Sequence, residues 1–199
     1  MAIEKEYLGT KVVAAKSADQ WRKWLAKHHQ TETSIWLVIF KKKSNIPSVY
    51  YPEAVDEALC FGWVDSKPNK RDATSYYQFF SKRNPKSNWS LVNKNKVERL
   101  QSSGKMAPAG IAMVELAKQL GTWDALNKVD ALEVPEDLSV ALKQIPNALN
   151  YWNQFPPSTR RGILEWINTA KKPETRSKRI NETAELAGQN KRANQFVRK

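Results

Sequence analysis

Between Gly62 and Asn93 the chain gathers an uncommon set of side chains: Trp63, Asp65, Ser66, Arg83, Ser87, Trp89, Ser90 and Asn93. Asp65 follows a short apolar stretch that reads as a strand. Ser87 reads as the cap of a helix on which Trp89 and Asn93, one turn apart, present a ring and an amide on the same face. Such a face could hold a small polar ligand. Arg83 and a helix N-terminus at Ser87 would favour an anionic group on it, carboxylate or phosphate. A purely structural account uses the same residues. The tryptophans then fill core, Ser87 caps, and Asp65 pairs with Arg83 across neighbouring strands. A third account makes Asp65 a general base and Ser66 or Ser90 a nucleophile of a hydrolase-type enzyme, which requires the two within hydrogen-bond reach.

The familiar catalytic signatures are missing. The sequence contains no Walker loop, dinucleotide fingerprint, His-Glu-x-x-His, Cys-x-x-Cys or Gly-x-Ser-x-Gly, so no cofactor or metal is expected and a binding role is favoured over an enzyme. His28 and His29 are the only histidines. Neighbours on a helix point about 100° apart, which makes them poor joint metal ligands, and His28 falls on an apolar stripe. Cys60 is the single cysteine. It lies near a helix C-terminus, whose dipole raises a thiol pKa, so it reads as buried filler.

The elements that must position these residues follow from periodicity. Ser17 and Gln20 have the capping-box form, and Trp21, Trp24, Leu25 and His28 follow at helical spacing, which predicts a helix from Ser17 to about His29. Ser34 to Lys43 carries apolar residues on both faces and predicts a central strand. Tyr51-Pro52-Glu53 opens a helix that should stop at Gly62. Trp63 to Ser66 and Ser75 to Lys82 read as paired strands, separated by a polar stretch containing Pro68 and Asn69. A helix from Ser87 should end near Gly104. Another from Pro108 should turn Ile111, Val114, Ala117 and Leu120 inward and stop at Gly121. No strand signal follows. Val134 to Ile145, Asn147 to Phe155, Ser158 to Ala170 and Pro173 to about Asn190 read as four helices, with Leu138, Leu142, Trp152, Phe155, Ile163, Ile167 and Ile180 in their core. The fold class is α+β. Residues 1–130 form a small antiparallel sheet packed by helices, and residues 131–199 form an all-helical appendage, joined by Val129 to Val134.

Charge narrows the setting. The formal net charge is +13, concentrated in residues 67–105 at +8 and 158–199 at +7, while 46–66 carries −4. Basic zones attract phosphate, and Lys171, Lys172, Arg176, Lys178 and Arg179, joined by Lys82, Arg83 and Lys86, form the nucleic-acid alternative. The simpler reading is a solvated surface, since basic composition marks a nucleic-acid binder only where the bases share a face. The longest apolar run, Ile35 to Phe40, falls far short of the ~18 residues of a membrane span. Met1 to Thr10 has no secretory pattern, and a lone cysteine suits a reducing compartment, so a cytoplasmic location is expected.

Two long motifs and the tail resemble a known bacterial family. Glu57-Ala58-Leu59-Cys60-Phe61-Gly62-Trp63-Val64-Asp65-Ser66 and Phe80-Ser81-Lys82-Arg83-Asn84-Pro85-Lys86-Ser87-Asn88-Trp89-Ser90 with Asn93, then Gly104-Lys105-Met106 with Gly110, resemble the YdeI/OmpD-associated family. Val134-Pro135-Glu136-Asp137-Leu138, Arg160-Arg161, Trp166-Ile167 and Pro173-Glu174-Thr175-Arg176 resemble its OmdA-type C-terminal helical domain. Ser81-Lys82 stands where the family has Thr-Pro, a departure in the turn leading to Arg83. The resemblance implies a YdhG-like α+β N-terminal domain and a link to bacteriocin protection and stress resistance. It implies no reaction, and the iron delivery connected with one YdhG-like branch does not carry over, because the sequence offers no cluster of iron ligands. Many bacteriocins are cationic, and a +13 protein would repel them, which disfavours simple sequestration. The expectation is a binding protein for a small molecule or peptide, with Trp63, Asp65, Ser66, Arg83, Ser87, Trp89 and Asn93 as its site.

Overall fold

Ser34–Phe40, the most continuously apolar stretch of the chain, is β3, and the first unit is built on it. The structure, a computed structural model, describes residues 3–194. The chain divides into two compact units, Met1–Asp124 and Ala125–Lys199. The last two bases of the sequence, Arg198 and Lys199, lie outside the described residues.

In the first unit, β1 (Glu6–Tyr7), β2 (Thr10–Ala14), β3, β4 (Trp63–Lys70) and β5 (Ser75–Lys82) form one sheet in the order β1-β2-β3-β5-β4. β2 runs parallel to β3, and the other pairs are antiparallel. β3 is central, as its two apolar faces require. Ile35, Leu37 and Ile39 face the helices, while Trp36, Val38 and Phe40 join Val12 and Tyr77 on the other side. β1 and β2 leave little trace in the sequence. Their hairpin turns on Leu8 and Gly9, both at positive φ, in place of the Asn-Gly that usually announces such a turn.

The sheet is mixed rather than antiparallel, because β2 lies parallel to β3 across the crossover helix Ala18–His28, and two further expectations need correction. Pro68 and Asn69 are not a connecting stretch; they lie within β4, which is an edge strand with a bulge between Asp65 and Pro68. An edge tolerates proline because the missing N–H has no ladder partner to lose. The connection is a tight turn closed by Asp72, whose carboxylate accepts from the backbone N–H groups of Thr74 and Ser75. Ser87 is not a helix cap either. Its hydroxyl donates to the Asn84 carbonyl, and α3 spans Leu91–Ser102 with Ser90 as its N-cap. Trp89 therefore precedes the helix and shares no helical face with Asn93.

The remaining helices of this unit are α1 (Ala18–His28), α2 (Tyr51–Cys60) and α4 (Pro108–Gln119). Ser17 caps α1 by accepting from the Gln20 N–H, but the Gln20 side chain reaches back to the Lys16 N–H, one residue beyond the box pattern. On α4 the inward face is Gly110, Val114 and Ala117, while Ile111 is 41% exposed and Leu120 is exposed as well. Gly110 decides this rotation. A Cβ there would stand 2.2 Å from the Cys60 carbonyl oxygen, so only glycine lets α4 press against the end of α2.

The second unit contains α5 (Asn127–Asp130), α6 (Glu136–Gln144), α7 (Ala148–Gln154), α8 (Pro157–Asn168) and α9 (Pro173–Gly188). Leu138, Leu142, Trp152, Phe155, Ile163, Ile167 and Ile180 are all buried in one core. Leu126 and Val129 join them, and Asp130 accepts from the Arg161 Nε–H at 2.7 Å, which ties α5 to α8. No helix among the described residues is long and apolar enough to cross a membrane.

Candidate functional site

Gly62 turns the chain from α2 into β4 at a φ of +72°, and its carbonyl accepts from the Arg83 N–H at 3.0 Å. That bond ties the start of β4 to the end of β5. Around it lies a hollow of about 670 Å³, lined by residues from four places in the first unit. His29 and Gln30 follow α1, and Phe61, Gly62 and Trp63 join α2 to β4. Lys82, Arg83, Asn84 and Pro85 leave β5, and Ala109 and Met113 come from α4. No aspartate or glutamate is among the lining residues.

Arg83 is the electrostatic centre of the hollow. It is only 5% exposed, yet no carboxylate pairs with it among the described residues. Its guanidinium lies 3.8 Å from the centroid of the Trp89 ring and donates from Nη2 to the Asn88 carbonyl at 2.6 Å. Its Nε–H is buried and without a partner. Burial pulls its pKa down to about 10. Trp89 in turn packs on Trp123 with centroids 5.0 Å apart. A guanidinium and two indoles thus run in series from the hollow, through the buried Trp89, to the half-buried Trp123.

The aromatic wall is held from behind. Trp63 is 1% exposed, and its Nε1–H donates to the His29 carbonyl at 3.4 Å. The His29 Nδ1–H donates to the Leu25 carbonyl at 2.9 Å, which leaves Nε2 as the acceptor of the neutral ring. Phe61 packs against that imidazole at 5.2 Å. Lys82 donates to the Gln30 carbonyl at 2.8 Å.

The other residues singled out from the sequence are placed elsewhere. Asp65 does not pair with Arg83; its carboxylate accepts from the Tyr51 hydroxyl at 2.7 Å. The Tyr51 phenol is pushed up to about 12, first by burial and then by that carboxylate. Ser66 is exposed, and its carbonyl accepts from the Gln78 side chain. Ser87 and Asn93 belong to the turn after β5 and the first turn of α3. Ser90 commits its hydroxyl to the α3 cap. Trp89 does not line the hollow; it lies behind it, against the Arg83 guanidinium. Of the seven named ligand-binding candidates, Trp63 and Arg83 line the hollow. His29, Phe61, Lys82 and Met113 line it without having been among those seven. Weighing the two histidines only as joint metal ligands hid the role of His29 as a wall.

His28 packs beside Trp24 at 5.0 Å, and Cys60 is buried, with burial raising its thiol pKa. Among the described residues no group of three or more His, Cys, Asp or Glu could hold a metal ion. In the second unit, the basic residues proposed for nucleic acid are partly engaged. Arg176 makes a two-bond contact with Asp137, and Arg179 donates to the Trp166 carbonyl while its guanidinium lies 5.0 Å from that ring. Lys171, Lys172 and Lys178 are exposed.

Residues 13–113, just over half of the chain, match the family model described as Domain of unknown function (DUF8412), and residues 131–190 match the one described as Bacteriocin-protection, YdeI or OmpD-Associated. No curated protein and no solved structure matches the chain. With the motifs around Gly62 and Arg83 inside its span, the chain belongs to the family of the first model, and its helical unit carries a match to the bacteriocin-protection, YdeI or OmpD-associated domain.

Proposed function

We propose that the protein is a bacterial resistance-associated binding protein, acting in the cytoplasm, that takes a small molecule or a peptide segment into the hollow of its first unit. The observation that carries this reading is the convergence of side chains from four separate chain segments on one acid-free concavity, with an apolar wall and a buried cation. Ligand sites have this composition: mostly apolar lining with a few placed polar groups. A volume of about 670 Å³ lies within the ordinary range for small-molecule sites.

The test is a thermal-shift screen of metabolites and short peptides against the native protein and against Met113→Trp, which fills the hollow. A true ligand raises the melting temperature of the native protein and leaves the filled variant unmoved. A ligand that stabilises both equally moves the site elsewhere.

A further inference from the structure

The hollow lacks one thing its chemistry calls for, an anion. We infer that its ligand is a monocarboxylate with an apolar body, either a free organic acid or the C-terminal residue of a peptide; this rests on the hollow being the binding site. Burying a guanidinium without a counter-charge is costly, and the cost is removed when a carboxylate supplies that charge and accepts its N–H groups. Arg83 is in that state. Trp89 covers one face of it, Asn88 takes one Nη2 hydrogen, and the Nε–H is left over.

The alternative anion is phosphate, and the geometry favours the carboxylate. Phosphate sites draw on helix N-termini, and of the two helices that begin near the hollow only α4 brings a first-turn residue, Ala109, to its wall. α3 starts only at Leu91, where Ser90 caps it. α4 starts against α2, with the Ala107 N–H donating to the Cys60 carbonyl and Gly110 pressed on the same oxygen. What remains is the Arg83 guanidinium, with one Nη2 hydrogen on Asn88 and Nε unpartnered, and Lys82, whose Nζ donates to the Gln30 carbonyl; a planar carboxylate suits the guanidinium plane. Phe61, Trp63, Pro85 and Met113 give the wall an apolar part beside His29, Gln30 and Asn84, which suits a hydrocarbon or aromatic substituent and nothing in inorganic phosphate.

Isothermal titration of the full chain would use 3-phenylpropionate, N-acetylphenylalanine, the primary amide of each, and inorganic phosphate. Both carboxylates should bind, each amide ~10-fold or more weakly, because a charged hydrogen-bond pair is replaced by a neutral one. Phosphate should bind weakly or not at all, and Met113→Trp should lose the carboxylates. The free acid and the capped amino acid separate the two sources, and tighter binding of either supports the inference. Arg83→Lys should bind both carboxylates ~10-fold or more weakly; should it fail to fold, the Nε–H resonance of Arg83 in the native protein serves instead, shifting with each carboxylate and staying in place with its amide. Amides that bind as tightly as their acids, with Met113→Trp blocking both, would overturn the anion while leaving the hollow intact. Carboxylates that bind Met113→Trp undiminished would overturn the site itself. Binding of phosphate as tight as that of the acids, or no binding of either acid, would end the inference.

Discussion

At Gly110 the absence of one methyl group decides how two helices meet. A Cβ would lie 2.2 Å from the Cys60 oxygen and 2.9 Å from that of Leu59, both backbone atoms that cannot step aside. Gly110→Ala should therefore cost ~3 kcal/mol, seen as a lower urea midpoint. Gly162, inside α8, is the contrast. Nothing stands within 4 Å of its Cβ position, so Gly162→Ala should gain ~0.5–1 kcal/mol through helix propensity in the same assay. Asp72 adds a pH dependence. Desolvation pushes its carboxyl up, but hydrogen bonds from Thr74 and Ser75 outweigh it and hold the pKa at about 2, below the ordinary 3.8. A depressed carboxyl pKa contributes stability that is present above 3.8 and lost as the pH falls through about 2. The melting temperature of the native protein should fall across that window, and Asp72→Asn should flatten the fall; an unchanged slope would assign the acid sensitivity to other groups.

Among the elements, those with strong periodicity were readable before any coordinates. β3 announced itself by apolar residues on both faces, and the helices of the second unit by their spaced core positions and prolines. β2 offers only Val12 and Val13 together, and β1 is two residues long, so neither rises above the surrounding polar sequence. The start of α3 was misplaced because Ser87 and Ser90 are both competent caps, and only the Asn84 turn, which claims the Ser87 hydroxyl, separates them. That three-residue error moved Trp89 off the helix and dissolved the face it was to share with Asn93. β4 shows how an edge is kept from pairing. Pro68 and the bulge interrupt it, with the exposed Lys67 inside the bulge and Lys70 beyond it. Replacing Pro68 and Lys70 with valine should produce concentration-dependent self-association in sedimentation velocity, whereas a variant that stays monodisperse would show that the edge is guarded by something else.

Over the whole molecule, a net charge of +13 suggests polyanions as partners, but the arrangement of the bases limits how many phosphates they can meet. With Arg176 held by Asp137 and Arg179 by Trp166, three of the five bases singled out in the second unit stay clear of such contacts. Any DNA association through them should show a log–log salt slope no steeper than about −3, in fluorescence-polarisation titrations. A much steeper slope would mean that bases beyond these three also take part. The candidate site was legible only in part for a related reason. Sequence spacing relates neighbours on one element, and Trp63 and Arg83 were found because their motifs are dense; His29 and Met113 come from segments far along the chain, where spacing says nothing. The row formed by Arg83, Trp89 and Trp123 has an optical consequence. An anion arriving on the guanidinium alters the electric field across the Trp89 indole, so the protein's own fluorescence spectrum reports occupancy without a dye, and Trp89→Phe would remove that share of the signal and leave the share from Trp63 in the wall.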